Sequence, residues 1–360
     1  MKTILPAVFL LGLTLFSCGT KTGEKIKQDF MPVARGENDE IILVVDSAQW
    51  AGEIGDELKE TYQQYMLLLP QDEYEFSVNK VNPRKLNDVF RHAKNMIFVM
   101  TLDSRTGESA SIRENFTDNS LKMIQRDSSL FYTVRRDEWA KGQIVLYLFA
   151  QDEATLAQKI GDNRASLKSL FASAVRERTR DEILAKPEKA AVDAIKETHD
   201  YSIEVPFGYD IAKNEPDFLW IRKLNSQSEW NVFVHEGTYN DRSVFNKVDV
   251  YRDSITSNYL RDGEKPEIFI KRQPQVPVLT NRVSFKGMFA VESRGLWKVS
   301  DSSGGGPYVS YTFVNEETQK IYYIEGYVYS PATKKKHLIR EVEAILSTFE
   351  LEKPTEANPS

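Results

Sequence analysis

The chain has 360 residues, 47 of them Lys or Arg and 53 Asp or Glu, for a formal net charge of −6. That balance excludes the basic footprint of a nucleic-acid binder and the polybasic patch that grips anionic lipid. With 41% hydrophobic and 11% aromatic residues, there is material for one large core or two of ordinary size.

Taken in chain order, Met1-Lys2 and the apolar run Thr3–Phe16 read as a secretory signal: a basic start, a short apolar core and a small residue at the break. The run is about 14 residues, short of the roughly 20 that a membrane-spanning helix needs. Leu15-Phe16-Ser17-Cys18 resembles the bacterial lipobox, in which cleavage between Ser17 and Cys18 makes the cysteine the new N-terminus and acyl chains such as palmitate anchor it. Phenylalanine before the small residue is familiar in lipoboxes of the Bacteroidetes. Cys18 is the chain's only cysteine, so acylation leaves neither a disulfide nor a thiol nucleophile. The residues after it, GTKTGEKIKQDF, lack the acidic cluster that resembles the surface-export signal of Bacteroidetes lipoproteins, which points to the periplasmic face of the outer membrane. Residues 1–17 are therefore expected to be a signal peptide, and the polar residues 18–39 a lipid-anchored tether.

The body begins with IILVVDS (41–47), a continuous β-branched run with the pattern of a buried strand. A helix follows, with Trp50, Ile54, Leu58, Tyr62 and Tyr65 at helical spacing. YEFSVNKV (74–81) alternates as a strand, 86–93 fits a short helix, and MIFVMTL (96–102) is another buried strand. This order predicts an α/β unit. Residues 113–126 read as helix, 130–136 and 143–150 as a hairpin, and Asp152 to about Leu184 as one long amphipathic helix carrying Leu156, Ile160, Leu167, Leu170, Phe171 and Val175 on a face. The α/β domain is set at 40–186, with a linker over 187–199. The remainder, 200–351, is a succession of strands: 201–209, 218–224, 230–236, 267–272, 282–292, 307–314 and 321–329. Two helices are marked by Val244, Val248, Tyr251, Ile255 and Tyr259, and by Leu338, Val342, Ile345 and Phe349. Hairpin order with two helices predicts an α+β domain, a mainly antiparallel sheet covered by helices on one face. Residues 352–360 read as a flexible tail.

Several positions carry candidate chemistry. Two strands end in carboxylate–hydroxyl pairs, Asp46-Ser47 and Asp103-Ser104. As neighbours in a parallel sheet they would stand at the carboxyl edge, where α/β folds place ligands and where paired carboxylates hold a divalent cation. The bland alternative is that they cap a helix and open a turn. In IYYIEGYVY (321–329), Tyr323, Glu325, Tyr327 and Tyr329 share one face, a candidate platform for a glycan or peptide, or else the underside of a helix. Asp46-Ser47-Ala48 and Asp253-Ser254-Ile255 resemble the Asp-Ser/Thr-apolar acceptor of O-glycosylation in periplasmic Bacteroidetes proteins, with Ser47 and Ser254 as acceptors of doubtful accessibility. The four histidines make no metal-ligand spacing, and His235-Glu236 is the nearest approach. SSGGGP (302–307) lacks the Lys-Ser/Thr of a phosphate-binding loop. No catalytic residue, metal ligand set or cofactor site is assigned.

EIILVVDSAQWAGEIGDEL, LLLPQDEYEFSVNKV, RHAKNMIFV and DYSIEVPFGYDIAKNEPDFLWIRK together resemble a Bacteroidetes lipoprotein family catalogued as domain of unknown function 4837. The resemblance implies a cell-envelope location and supplies no activity. Separately, VPFGY with the closing strand and helix is similar to the photosystem extrinsic-protein-like α/β sandwiches, an analogy of fold alone. The expectation is a non-enzymatic envelope lipoprotein, held to the membrane by its acylated cysteine and binding an envelope protein or glycan. The alternatives are an envelope hydrolase or metal-dependent enzyme using the strand-end carboxylates, and a glycan- or peptide-binding module.

Overall fold

The structure is a computed structural model that describes residues 30–352. In chain order its elements are β1 (Glu40–Val44), α1 (Ser47–Ala51), α2 (Glu53–Tyr62), β2 (Ser77–Val81), α3 (Asp88–Arg91), β3 (Asn95–Thr101), α4 (Gly107–Arg113), α5 (Asp118–Arg126), β4 (Tyr132–Arg136), β5 (Ile144–Ala150), α6 (Glu153–Asp162) and α7 (Arg164–Ile183). Then follow α8 (Lys189–Thr198), β6 (Tyr201–Ser202), β7 (Asp210–Glu215), β8 (Phe218–Leu224), β9 (Glu229–Thr238), α9 (Val248–Tyr259), β10 (Ile270–Arg272), β11 (Leu279–Phe285), β12 (Met288–Val299), β13 (Gly305–Asn315), β14 (Lys320–Tyr329), α10 (Lys336–Leu346) and β15 (Glu350–Leu351). The fold class is the expected one, an N-terminal α/β unit and a mainly antiparallel sheet with helices.

The two compact units are not successive halves of the chain. The first takes the described residues up to Glu37 with Ile41–Ser47 and Asn79–Asp152, and the second takes Asn38–Glu40, Ala48–Val78 and the described residues from Glu153 onward. The helices α2, α6 and α7, expected in the first domain, therefore group with the second unit. The expected linker is not one: residues 189–198 form α8, which buries Val192 and Ile195 in the second unit's core. The expected tether also ends early. Ala34 N–H donates to the Lys141 carbonyl at 2.9 Å and Arg35 N–H to the His92 carbonyl at 2.8 Å, fastening this segment to the first unit.

The first unit is a five-stranded sheet in the order β2-β1-β3-β5-β4. β1 and β3 are parallel, as are β3 and β5, while β4 closes the edge antiparallel to β5. Every residue of β3 and β5 is buried, as their unbroken apolar sequences require. One face packs Phe98, Met100, Tyr147 and Phe149 beneath Ile112 of α4 and Ile124 of α5.

The second unit contains an eight-stranded sheet ordered β10-β12-β13-β14-β9-β8-β7, with β11 paired to β12 beside β10. Helices cover both of its faces, where only one covered face was expected. On one side Ile339, Val342 and Ile345 of α10 meet Val232, Val234, Phe313, Tyr322 and Ile324, with α8 alongside. Gly326 permits this close approach, because a Cβ there would stand 2.6 Å from the Val342 Cβ. On the other side α9 lays Ile255 over Phe218, Phe233, Tyr323 and Tyr327. The strand expected over 282–292 is a hairpin: Lys286 and Gly287 both have positive φ (51° and 82°), the signature of a two-residue turn. The long helix expected over 152–184 breaks into α6 and α7 at Asn163, whose side-chain amide donates to the Lys159 carbonyl at 2.8 Å. Likewise α2 stops at Tyr62, so Tyr65 leaves the helical face on which it was counted.

Candidate binding cleft

At the carboxyl edge of the first unit's sheet, β1 and β3 are neighbours, so the carboxylates after them do end adjacent strands. Asp46 is buried, and its carboxylate accepts the Thr106 hydroxyl. Thr106 is the N-cap of α4, its oxygen accepting the Ser109 N–H at 3.0 Å. Glu108 reaches the same corner and accepts the Ser47 N–H at 2.7 Å and the Asn82 amide at 2.5 Å. The hydrogen bond from Ser47 holds its carboxyl below the usual glutamate range. Asp103 is exposed, and its N–H donates to the Gln151 carbonyl. The corner ties the end of β1, through Asp46 and Ser47, to α4, which is the capping role rather than the metal role. Among the described residues, no three His, Cys, Asp or Glu side chains come together as a metal-holding group.

The tyrosine face of β14 is closed to a ligand. Tyr323, Glu325 and Tyr327 are buried under α9, and Tyr329 alone is half-buried at the edge. Arg252 of α9 enters this face and meets Glu325 bidentately, Nε at 2.7 Å from Oε2 and Nη2 at 2.6 Å from Oε1. The Tyr323 hydroxyl donates to Oε2 at 2.6 Å, and the guanidinium lies 4.1 Å from the Tyr308 ring centre. Arg252 is 1% exposed and Glu325 0%. Burial pushes the Glu325 carboxyl up, and Arg252 opposes it. The acid thus belongs to a second core, where it is matched by a buried arginine.

The remaining sequence candidates are dispersed. Ser47 and Ser254, whose accessibility the sequence left in doubt, are both exposed, and Ser254 donates to the Tyr251 carbonyl at 2.7 Å. His235 and Glu236 project to opposite sides of β9: the imidazole Nδ1 is 3.2 Å from the Tyr251 hydroxyl, while Glu236 takes Lys320 at 2.7 Å. Burial pushes the His235 pKa down. Ser17 and Cys18 lie outside the described residues.

What the sequence left unmarked is a cleft of about 330 Å³ in the second unit. Lys168, Ala172, Val175 and Arg176 of α7 line one wall, at helical spacing. Leu279 and Asn281 of β11, with Glu292 and Arg294 of β12, line another, and Arg340 and Glu343 of α10 close the floor. The charged groups hold one another. Arg294 reaches Glu292 at 2.7 Å and Glu343 at 2.6 Å, and Lys168 reaches Glu75 at 2.5 Å. Arg340 donates to Asp39 at 2.8 Å, a buried carboxylate that also takes Lys336 at 2.6 Å. Burial disfavours the Glu343 carboxylate, but Arg294 and Arg176 outweigh it and hold its pKa below the ordinary value. Arg176 stands apart, 4.0 Å from Glu343 with its side chain 50% exposed. The rim is apolar: Leu67 is 65% exposed, and Tyr65, 48% exposed, stacks on Tyr74 with ring centres 4.6 Å apart. These residues come from five separated segments, and no local spacing joins them. The one readable signal is YMLLLP (65–70), an apolar run ending in proline where a helix would bury it.

Residues 188–348 match the family described as Domain of unknown function (DUF4837), and residues 34–183 match a second, Domain of unknown function (DUF8532). The earlier stretches that carried the resemblance, from EIILVVDSAQWAGEIGDEL to RHAKNMIFV, thus fall in the second family's span, and DYSIEVPFGYDIAKNEPDFLWIRK in the first's. No curated protein matches the chain. Among solved structures, a variant of Protein Mog1 and the Saccharomyces cerevisiae Ran-binding protein Mog1p are each similar over 42% of this chain and 90% of theirs, at 10% identity and a TM-score of 0.27. The chain therefore carries, in sequence, regions similar to two families of unknown function.

Proposed function

We propose that this protein is a non-enzymatic binding or assembly protein of the cell envelope, tethered to the outer membrane by acylated Cys18 and facing the periplasm, and that it engages its partner through the cleft rimmed by Tyr65, Leu67 and Leu279. The composition of that cleft carries the reading. Among the described residues its lining includes no Ser, Thr, Cys or His, its acids are ion-paired, and its mouth leaves aromatic and aliphatic surface in water. A catalytic constellation sets a nucleophile within hydrogen-bond reach of a base; this cleft sets cations against carboxylates and offers apolar contact beside them, as binding sites do. A metal-dependent hydrolase would need Asp46 and Asp103 to act together, whereas Asp46 is committed to Thr106.

The lipobox-like LFSC supports the anchor. No helix among the described residues is long and apolar enough to cross a membrane, so attachment in this reading rests on the acyl chains. Cells fed a palmitate analogue test it: the wild type should take up label and Cys18→Ala should not. Absent labelling of the wild type, or undiminished labelling of the variant, refutes the anchor. A photo-crosslinking residue at Leu67 should capture a discrete envelope partner that the same probe at exposed Val89, in the other unit, does not. Equal capture at both positions, or none at Leu67, refutes the use of the cleft.

A further inference from the structure

The cleft's charges are unequally committed, and that inequality says what it accepts. Its lining carries four cations, Lys168, Arg176, Arg294 and Arg340, against three carboxylates, Glu75, Glu292 and Glu343. Three of the cations have a carboxylate oxygen within 2.5–2.8 Å. Among the described residues, none stands that close to Arg176. Its nearest acid, Glu343, stands at 4.0 Å and is already satisfied by Arg294 at 2.6 Å. Turning Arg176 away from Glu343 therefore strands no charge, because the carboxylate keeps its closer partner. The guanidinium also stays half in water, so little desolvation is spent when an anion replaces that water. A planar fork beside a fixed carboxylate–arginine lattice is suited to a second carboxylate.

The surroundings add a second requirement. Tyr65 and Tyr74 stack with planes 16° apart and offer a flat edge at the mouth. Leu67 and Leu279, 65% and 37% exposed, flank it. Aromatic and aliphatic surface beside a single available guanidinium favours a ligand with an apolar body and one acidic head. The volume, about 330 Å³, lies at the small end of ligand sites, enough for one aromatic or branched residue. We infer that the cleft binds a carboxylate borne on a compact apolar or aromatic body, with Arg176 taking the carboxylate and Tyr65 and Leu67 the body. A free small acid and the carboxyl terminus of a peptide ending in an apolar residue share this chemistry.

This assignment rests on the cleft being the binding site, and the experiment separates the two. The full chain is titrated calorimetrically with 3-phenylpropionate, with its uncharged amide, and with a short alanine peptide ending in phenylalanine, its carboxyl either free or amidated. The acids should bind and the amides should not, and Arg176→Gln should weaken the acids at least tenfold while keeping the melting temperature of the wild type. Tyr65→Ala should weaken them in parallel. Tighter binding of the peptide acid than of phenylpropionate assigns the site to a chain terminus, and the reverse order assigns it to a free acid. Equal binding of acid and amide, unchanged affinity in Arg176→Gln, or no heat with any acid overturns the inference. In the last case a surviving crosslink at Leu67 leaves the cleft as the docking site for a different chemistry. Loss of both ends the binding-site reading itself.

Discussion

Replacing Glu325 by Gln tests whether the tyrosine face is a core or a binding platform. The side chain is fully buried and accepts three hydrogen bonds, two from the Arg252 guanidinium at 2.7 and 2.6 Å and one from the Tyr323 hydroxyl at 2.6 Å. The amide is nearly isosteric, so no cavity opens and the lost quantity is charge. Arg252 would remain 1% exposed, its best remaining partners the Tyr308 ring and Asp253 at 3.7 Å. Stranding a buried charge this way costs about 3–5 kcal/mol. For a folding unit of this size that corresponds to a fall in melting temperature on the order of 10 °C. Arg252→Met should cost a similar amount by leaving the acid alone, while the double variant Arg252→Met/Glu325→Leu should recover most of the loss. Urea denaturation of these proteins together with the single variant Glu325→Leu gives the coupling energy, and near-ultraviolet dichroism reports whether the tyrosines stay packed. A Glu325→Gln variant within about 1 kcal/mol of wild type, or a double variant that merely sums the single losses, would refute a charge pair at the heart of this face.

Three further outcomes follow from the packing and the charges. Gly326→Ala puts a Cβ 2.6 Å from the Val342 Cβ, so α10 must shift, at a cost of about 1–3 kcal/mol that a thermal melt should register. Glu343 has a folded-state pKa below its ordinary 4.5, because Arg294 and Arg176 outweigh the burial that would raise it. A depressed value contributes stability that is fully present above about 4.5 and lost as pH falls through the folded-state value. Glu343→Gln should therefore cost stability at neutral pH and flatten the wild type's acid-side decline, and a variant with the same acid profile as wild type would contradict this. Asp46→Asn should lower stability by about 1–2 kcal/mol, since a charge-assisted bond from Thr106 becomes a neutral one. Chelator should leave the melting of both proteins unchanged, and a drop restored by added calcium would reopen the metal reading.

The fold class was legible because the two kinds of strand differ in the sequence itself. IILVV and MIFVMTL are apolar without alternation, as strands buried on both faces must be. The same signal was present in IYYIEGYVY and points to helices on both sides. Glu325, the one charge in IYYIEGYVY, is buried and needs a cation, and Arg252 sits in α9 at the core-facing spacing of Val248, Ile255 and Tyr259. Breaks were harder to read. Asn163 parts α6 from α7, and Lys286-Gly287 folds one apparent strand into two, because a local backbone preference overrides a run of favourable neighbours. The cleft was hidden for another reason. Its charges lie near residues 75, 168–176, 292–294 and 340–343, and only tertiary folding sets an arginine of one segment beside the acid of another.

The interleaving of the two units bears on how the chain can be divided. The family matches meet between residues 183 and 188, which looks like a place to cut. The second unit, however, draws α2, α6 and α7 from before that point, and α7 packs against α10 from near the far end. A fragment beginning at residue 188 would expose the face of α10 that α7 covers and lose Lys168 and Arg176 from the cleft. A fragment ending at 183 would keep α7 with α2 and α6 but strip α10 from it. The chain is therefore best expressed, mutated and inherited as one piece, with a protease nick at the seam expected to leave the two parts associated.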